Sequence, residues 1–173
     1  MKERIIELVK SAGQDAQPIE YDQIVFEERV GLKCFSCPRY NVNWTCPPKI
    51  PSINYRKVIS ECDNLVLVYC KMPFNKEQFQ SVRLKSTNTI HRTLLAAEKM
   101  LWENNYPLAV SFIGGSCKLC TNGCDPLACQ QPSLARIPLE ATGINVVETA
   151  KNVKVDIVFP PKDFLYRVGL IGW

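Results

Sequence analysis

Four cysteines fall within the thirteen residues from Cys117 to Cys129, with two, three and four residues between successive sulfurs. A segment this short, with few apolar side chains, cannot build a hydrophobic core of its own. Something other than hydrophobic contact must hold it, and thiolates that converge on iron or zinc would do so. The sequence therefore predicts a metal-binding loop here, with Cys117, Cys120, Cys124 and Cys129 as ligands.

A second group of cysteines comes earlier in the chain, at Cys34, Cys37 and Cys46. The close pair supplies two sulfurs from one turn, and the eight residues before Cys46 are enough to bring a third sulfur to the same place. Pro47 and Pro48 then fix the backbone and prevent a helix from starting there. Three thiolates are an incomplete set for zinc or for a four-iron cluster. We therefore predict a second metal site whose fourth ligand comes from elsewhere or whose fourth position stays open.

Three other residues are candidates for that missing ligand, namely Cys62, Cys70 and His91, the only histidine. Each also has an ordinary interpretation, because a lone cysteine at a helix end or in a buried strand is commonly a small core residue. A histidine on a long helix is more often a polar helix residue than a ligand. If none of the three completes the site, one iron is free to bind water or a small substrate as a Lewis acid.

Length and composition favour one domain over residues 1–173, with enough apolar content for a core. The N-terminal residues are charged and helical in period, unlike a signal peptide, and the longest apolar run is too short for a membrane span. We therefore expect a cytoplasmic protein with reduced thiols, and nine cysteines is also an odd number for a disulfide framework. Lysines and arginines are spread along the chain despite the net charge of +4, so we expect no nucleic-acid partner and no membrane partner.

The apolar pattern predicts an α+β fold with a small, mixed and mainly antiparallel sheet, helices on one face and two cysteine-rich metal-binding loops. Predicted helices cover 3–12, 52–59 with Ser52 as its cap, 76–104, 138–143 and 146–151. Predicted strands cover 65–70, 108–113 and 165–171, and a further strand over 24–30 leads into Cys34. Residues 86–89 are poor helix formers and favour a break in the third helix. Both cysteine groups are thus expected to leave the ends of strands.

The spacing of the cysteines also bears on which metal is bound. Zinc sites usually set two cysteine pairs well apart, so that two separate turns face each other across a tetrahedron. The crowding of four cysteines between Cys117 and Cys129 is more typical of iron-sulfur ligands, where one loop wraps a cluster. We therefore predict two iron-sulfur clusters, of the 4Fe-4S type, and keep zinc as the alternative.

Several motifs follow one another in a fixed order along the chain: Cys34-x-x-Cys37, Cys46-Pro47-Pro48, Gly115-x-Cys117-x-x-Cys120-x-x-x-Cys124, Cys129, Pro132, Arg136, Glu140 and Gly143-Ile144-x-Val146. Together they resemble a known family, the predicted metal-binding proteins of domain of unknown function 2284. The resemblance spans about 33–146 and implies a small cytoplasmic metalloprotein of anaerobic prokaryotes that carries iron-sulfur clusters. Arg136 and Glu140 are also one helical turn apart and are expected to form an ion pair.

Three functions are compatible with these patterns. The first is a redox protein with two clusters that passes electrons to or from a partner enzyme. The second is a redox enzyme with an open iron at the Cys34, Cys37 and Cys46 site, which binds a small substrate. The third is an adaptor whose zinc only holds loops for a protein contact. The sequence assigns no catalytic residue and leaves open whether the chain is an enzyme.

Overall fold

A four-stranded antiparallel sheet lies at the centre of the molecule in the computed structural model, which describes residues 1–173. Its strands are β1 (Asp15–Pro18), β2 (Leu65–Pro73), β3 (Val110–Phe112) and β4 (Phe164–Gly172), in the spatial order β1-β2-β4-β3. The two long strands β2 and β4 pair over their full length, from Leu65 opposite Gly172 to Pro73 opposite Phe164. The centre of the sheet is therefore built from the two apolar runs that the sequence predicts as strands.

Five α-helices and two short 3-10 helices surround this sheet. The α-helices are α1 (Lys2–Ser11), α2 (Glu28–Phe35), α3 (Tyr55–Ser60), α4 (Phe79–Glu103) and α5 (Val146–Asn152). The 3-10 helices cover Tyr21–Gln23 and Leu139–Thr142, and the second ends at Gly143, whose φ of 89° is left-handed as helix ends often require. None of the α-helices has the length and apolarity that a membrane crossing requires.

The side chains of β2 alternate between two hydrophobic clusters, one on each face of the sheet. Val66 and Val68 pack with α1 and α4, whereas Leu65 and Leu67 pack with residues of α3 and α5. Since both faces are covered, the strand is continuously apolar rather than alternating. The predicted α+β class is confirmed, although helices lie on both faces and every strand pair is antiparallel.

Helix α4 runs without interruption through the stretch where a break was expected. Ser86 and Thr87 are fully buried, and the Ser86 hydroxyl donates a hydrogen bond to the Arg83 carbonyl at 3.2 Å. Their small side chains let the helix lie close to its neighbours, so packing outweighs their weak helix propensity. Ile90 and Leu94 are also fully buried and anchor the helix against the sheet.

The predicted strand before the first cysteine group is wrong. Of this segment only Phe26 forms a bridge, with Ile144, and helix α2 begins at Glu28 and contains Cys34. The first cysteine group therefore leaves a helix, while the second follows strand β3 as expected. Strand β1 was not predicted, and α3 is capped by Asn54, whose side chain accepts from the Lys57 amide at 3.1 Å, rather than by Ser52.

Candidate metal centre

The loop with four cysteines starts immediately beyond β3. Gly114 and Gly115 turn the chain there, and Gly115 has a left-handed φ of 72° that favours glycine. No helix or strand forms between Cys117 and Cys129, as the sequence predicts. The thiol-bearing residues Cys117, Cys120, Cys124 and Cys129 are all half-buried and line one cavity of about 630 Å³. We call it the four-thiol cavity.

The three cysteines of the first group line a second cavity, of about 320 Å³, which we call the three-thiol cavity. Cys34 lies in the last turn of α2, and its thiol is 3.9 Å from the Glu140 carbonyl. Cys37 follows in the turn beyond the helix, and its sulfur accepts from the Arg39 amide at 3.5 Å. Cys46 is buried, with 7% of its surface exposed. Residues twelve positions apart in sequence are thus brought to one opening.

Two hydrogen bonds join the loops of the two cavities. The buried Asn43 side chain donates to the Cys117 carbonyl at 3.1 Å, and the Trp44 indole donates to the Asp125 carbonyl at 2.7 Å. Both donors belong to the loop of the first cysteine group, and both acceptors belong to the loop of the second. The two cavities are therefore held side by side, and Arg39 and Arg83 line both of them.

The thiols of each group also influence one another's ionisation. Burial raises the pKa of Cys46 to about 12, and negative charge on Cys37 and Cys34 would raise it further. Burial likewise raises the pKa of Cys117, and negative charge on Cys124 and Cys120 would raise it further. Several thiolates in such a place repel each other unless a cation neutralises them. The arrangement suits a bound cationic group and disfavours bare thiolates.

No three His, Cys, Asp or Glu side chains are grouped closely enough to hold one metal ion. All nine cysteines are free, so none of them is paired in a disulfide. The thiols of each group thus share a cavity without converging on a single point.

Four cations lie at the two cavities: Arg39 and Arg83 line both of them, Lys118 lines the four-thiol cavity and Arg167 lines the three-thiol cavity. Burial lowers the pKa of Lys118 to about 8, and the charges of the three arginines lower it in the same direction. The Lys118 ammonium donates to the Ser116 carbonyl at 2.8 Å. The Arg167 Nε is buried and has no hydrogen-bond partner. These residues come from four separate parts of the chain, so only the fold brings them together.

The three candidates for a fourth ligand lie outside both cavities. The Cys62 thiol is 3.7 Å from the Val58 carbonyl, and Cys70 is part of the core beneath α1 and α4. His91 is fully buried, with its Nε2 at 2.8 Å from the Leu134 carbonyl. Each therefore has a structural role, and the three-thiol cavity contains no fourth thiol or imidazole.

The predicted ion pair between Arg136 and Glu140 is wrong. Arg136 Nε donates instead to both carboxylate oxygens of Glu98 on α4, at 2.9 and 3.0 Å, and the Ser111 hydroxyl donates to the same carboxylate at 2.5 Å. The Glu140 carboxylate accepts from the Gly115 amide at 3.3 Å. The helical spacing does not apply because the 3-10 helix begins only after Pro138. Arg136 thus fastens the chain that follows Cys129 to the long helix.

Replacing Arg136 with methionine is expected to destabilise the protein by about 3 kcal/mol, since it leaves the Glu98 carboxylate, 14% exposed, without its charged partner. Urea denaturation measures this change. Lys57→Met serves as the control, because the Lys57–Glu61 pair is exposed and its ions lie 3.9 Å apart. The control is expected to cost less than about 0.5 kcal/mol. Equal losses in the two variants would contradict the anchoring role of Arg136.

A family model described as predicted metal-binding protein (DUF2284) matches residues 17–171 of the chain. No curated protein and no solved structure shows significant similarity to the chain. The matched range contains both cysteine groups. It also contains the sheet, except for Asp15 and Ala16 of β1 and Gly172 of β4. Its description names metal binding without naming the metal. The chain therefore belongs to the DUF2284 family of predicted metal-binding proteins.

Proposed function

We propose that the protein holds two iron-sulfur clusters of the 4Fe-4S type and passes electrons to or from a partner protein. One observation carries the proposal: all four thiols of a loop without regular structure line one cavity, directly beside a second cavity lined by three thiols. The seven ligands would be Cys117, Cys120, Cys124 and Cys129 in the four-thiol cavity, and Cys34, Cys37 and Cys46 in the three-thiol cavity. Free thiols throughout the chain suit a reducing compartment such as the cytoplasm.

The arrangement of the thiols supports a cluster over a single zinc ion. Zinc draws its four ligands to one point at about 2.3 Å. Here four thiols line a cavity of about 630 Å³, which is larger than a single ion requires. A cluster is bound at separate irons, so it takes its thiolates further apart than one ion does. The zinc-stabilised adaptor therefore has less support.

Iron-sulfur clusters supply one-electron transfer when bound. The chain's own residues would adjust the reduction potentials of the two sites and hold the sites close together. Gln131 Nε2 is 3.7 Å from the Cys120 sulfur, and the Arg39 amide donates to the Cys37 sulfur. Hydrogen bonds and positive charge beside the thiolates make reduction easier. Asn43 and Trp44 hold the two loops against each other, which suits the exchange of electrons between neighbouring centres.

A second candidate is a redox enzyme in which the Cys34, Cys37 and Cys46 site binds a small substrate. The observation that favours it is the absence of any fourth thiol or imidazole among the residues that line the three-thiol cavity. An iron with one position open acts as a Lewis acid. Under this proposal Cys117, Cys120, Cys124 and Cys129 would hold a second cluster, which would be the source of electrons.

Anaerobic purification followed by iron and acid-labile sulfide analysis tests the proposal. We expect iron and sulfide in equal amounts, with about eight of each per chain if both clusters are of the 4Fe-4S type. Zinc without sulfide would contradict it and would favour the adaptor. Electron paramagnetic resonance of the reduced protein, recorded with and without small ligands, then distinguishes the two redox candidates, since only an open iron changes its spectrum.

A further inference from the structure

The three-thiol cavity is lined by four cationic side chains, one more than its number of thiols. Lys33, Arg39, Arg83 and Arg167 line it, and Glu140 supplies the only carboxylate. Arg39 and Lys33 are exposed, whereas Arg83 and Arg167 are half-buried. Four like charges around one opening repel each other, so the cavity attracts negative charge.

The three arginines have no carboxylate partner of their own. No carboxylate oxygen lies within 4.0 Å of a nitrogen of Arg39, Arg83 or Arg167. Arg167 makes no side-chain hydrogen bond, and its Nε is buried without a partner. A buried donor left unpaired is costly, and such groups commonly mark a place where something else binds.

A glycine makes room beside this guanidinium. A Cβ added to Gly115 would lie 3.5 Å from Arg167 Nη1, so any side chain longer than that of alanine would compete for the same space. The Gly115 amide is meanwhile bound to Glu140, which turns that carboxylate towards the backbone. The Arg167 guanidinium therefore lines the cavity with N–H donors that have no partner in the protein.

A cluster at Cys34, Cys37 and Cys46 would not use up this positive charge. A cuboidal iron-sulfur core is itself cationic and cancels most of the charge of three thiolates. The four cations, reduced by one carboxylate, therefore exceed what the cluster needs. An additional anion restores the balance.

We propose that the three-thiol cavity binds a small oxygen anion, a carboxylate or a phosphate, through Arg39, Arg83 and Arg167. A planar guanidinium matches the paired oxygens of either group. The cavity has a volume of about 320 Å³, and a cluster bound to its thiols would fill part of it. The ligand is therefore restricted to a few heavy atoms beyond the anionic group. The inference rests on the proposed function in one respect, because it names the substrate class of the open iron in the second candidate.

Titration calorimetry of the anaerobically purified protein tests the proposal, with phosphate and malonate as probes and chloride for comparison. We expect phosphate or malonate to bind and chloride not to. Binding of only one of the two identifies the ligand class. Arg167→Leu is expected to weaken binding by about tenfold or more. Arg83→Gln, near the start of helix α4, is expected to do the same and serves if the first variant does not fold. Failure of both oxygen anions to bind, or unchanged binding in a folded variant, overturns the proposal.

Arg4→Leu is the matched control, because it removes one positive charge at a residue that lines neither cavity and bonds to Asn104 at 2.9 Å. It is expected to leave anion binding unchanged, and an equal loss would mean that net charge alone attracts the probe. Iron analysis of the same samples separates this inference from the proposed function. Anion binding without iron leaves the anion site in place and rejects the clusters, whereas iron and sulfide without anion binding reject the anion site alone.

Discussion

Cys124→Ser is expected to lose about half of the bound iron and sulfide while the other half stays in place. Cys124 lines only the four-thiol cavity, and Cys34, Cys37 and Cys46 line only the other. A serine hydroxyl is a much poorer ligand for iron than a thiolate, so one centre is disturbed and its neighbour keeps its own three sulfurs. Iron and sulfide analysis after anaerobic purification gives the amount, and electron paramagnetic resonance shows which signal is lost.

Cys62→Ser provides the control for this experiment, because Cys62 is half-buried under β4 and lines neither cavity. It should keep the full iron content. Loss of all iron from Cys124→Ser would show that the seven cysteines form one site, and the division into two centres would then be wrong.

Gly114→Ala is expected to destabilise the fold by about 3 kcal/mol and to lower the melting temperature by about 10 °C. An added Cβ would lie 2.6 Å from the Val168 carbonyl oxygen and 2.9 Å from its amide nitrogen. Both are backbone atoms of the central strand β4, so they cannot turn aside as a flexible side chain would. Thermal unfolding followed by circular dichroism measures the loss.

Gly31→Ala is the matched substitution, because a Cβ at Gly31 in the exposed part of helix α2 meets no atom within 4 Å. There alanine removes the low helix propensity of glycine, so we expect a gain of up to about 1 kcal/mol. Opposite signs for the two variants would support the close approach of the second cysteine loop to β4. A loss of similar size in both would argue against it.

The central strands and the long helix could be predicted from the sequence because burial sets their pattern. Strand β2 is covered on both faces and therefore reads as a continuous apolar run. Helix α4 buries Ile90, Leu94 and Leu101 along one side, which gives the helical period. In such elements the core position and the residue type determine each other.

Elements that pack weakly could not be predicted in the same way. Helix α2 has no buried residue, and its Leu32 and Phe35 are 69% and 65% exposed, so packing against the core does not set its pattern. The apolar run just before it suggests a strand, yet tertiary contacts allow only the single bridge at Phe26. Strand β1 is a short, polar edge strand that ends at Pro18, a composition that also suits a loop.

The candidate site likewise has a part that the sequence could predict and a part that it could not. Short spacings between cysteines are a local signal, so the two groups of thiols could be recognised in the sequence, and each group lines one cavity. That these thiols bind metal stays a prediction. The pairing of Arg136 with Glu98, 38 residues away, and the meeting of Arg39, Arg83 and Arg167 depend on the folded chain. Nothing in the local pattern around Arg39, Arg83 and Arg167 distinguishes them from other surface cations.

Anomalous scattering at the iron edge, measured from an anaerobically grown crystal, tests the presence and number of metal centres most directly. We predict two separate groups of iron atoms, one within reach of Cys117, Cys120, Cys124 and Cys129 and the other within reach of Cys34, Cys37 and Cys46. A single peak, a signal that appears only at the zinc edge, or thiols with no metal beside them would contradict the account.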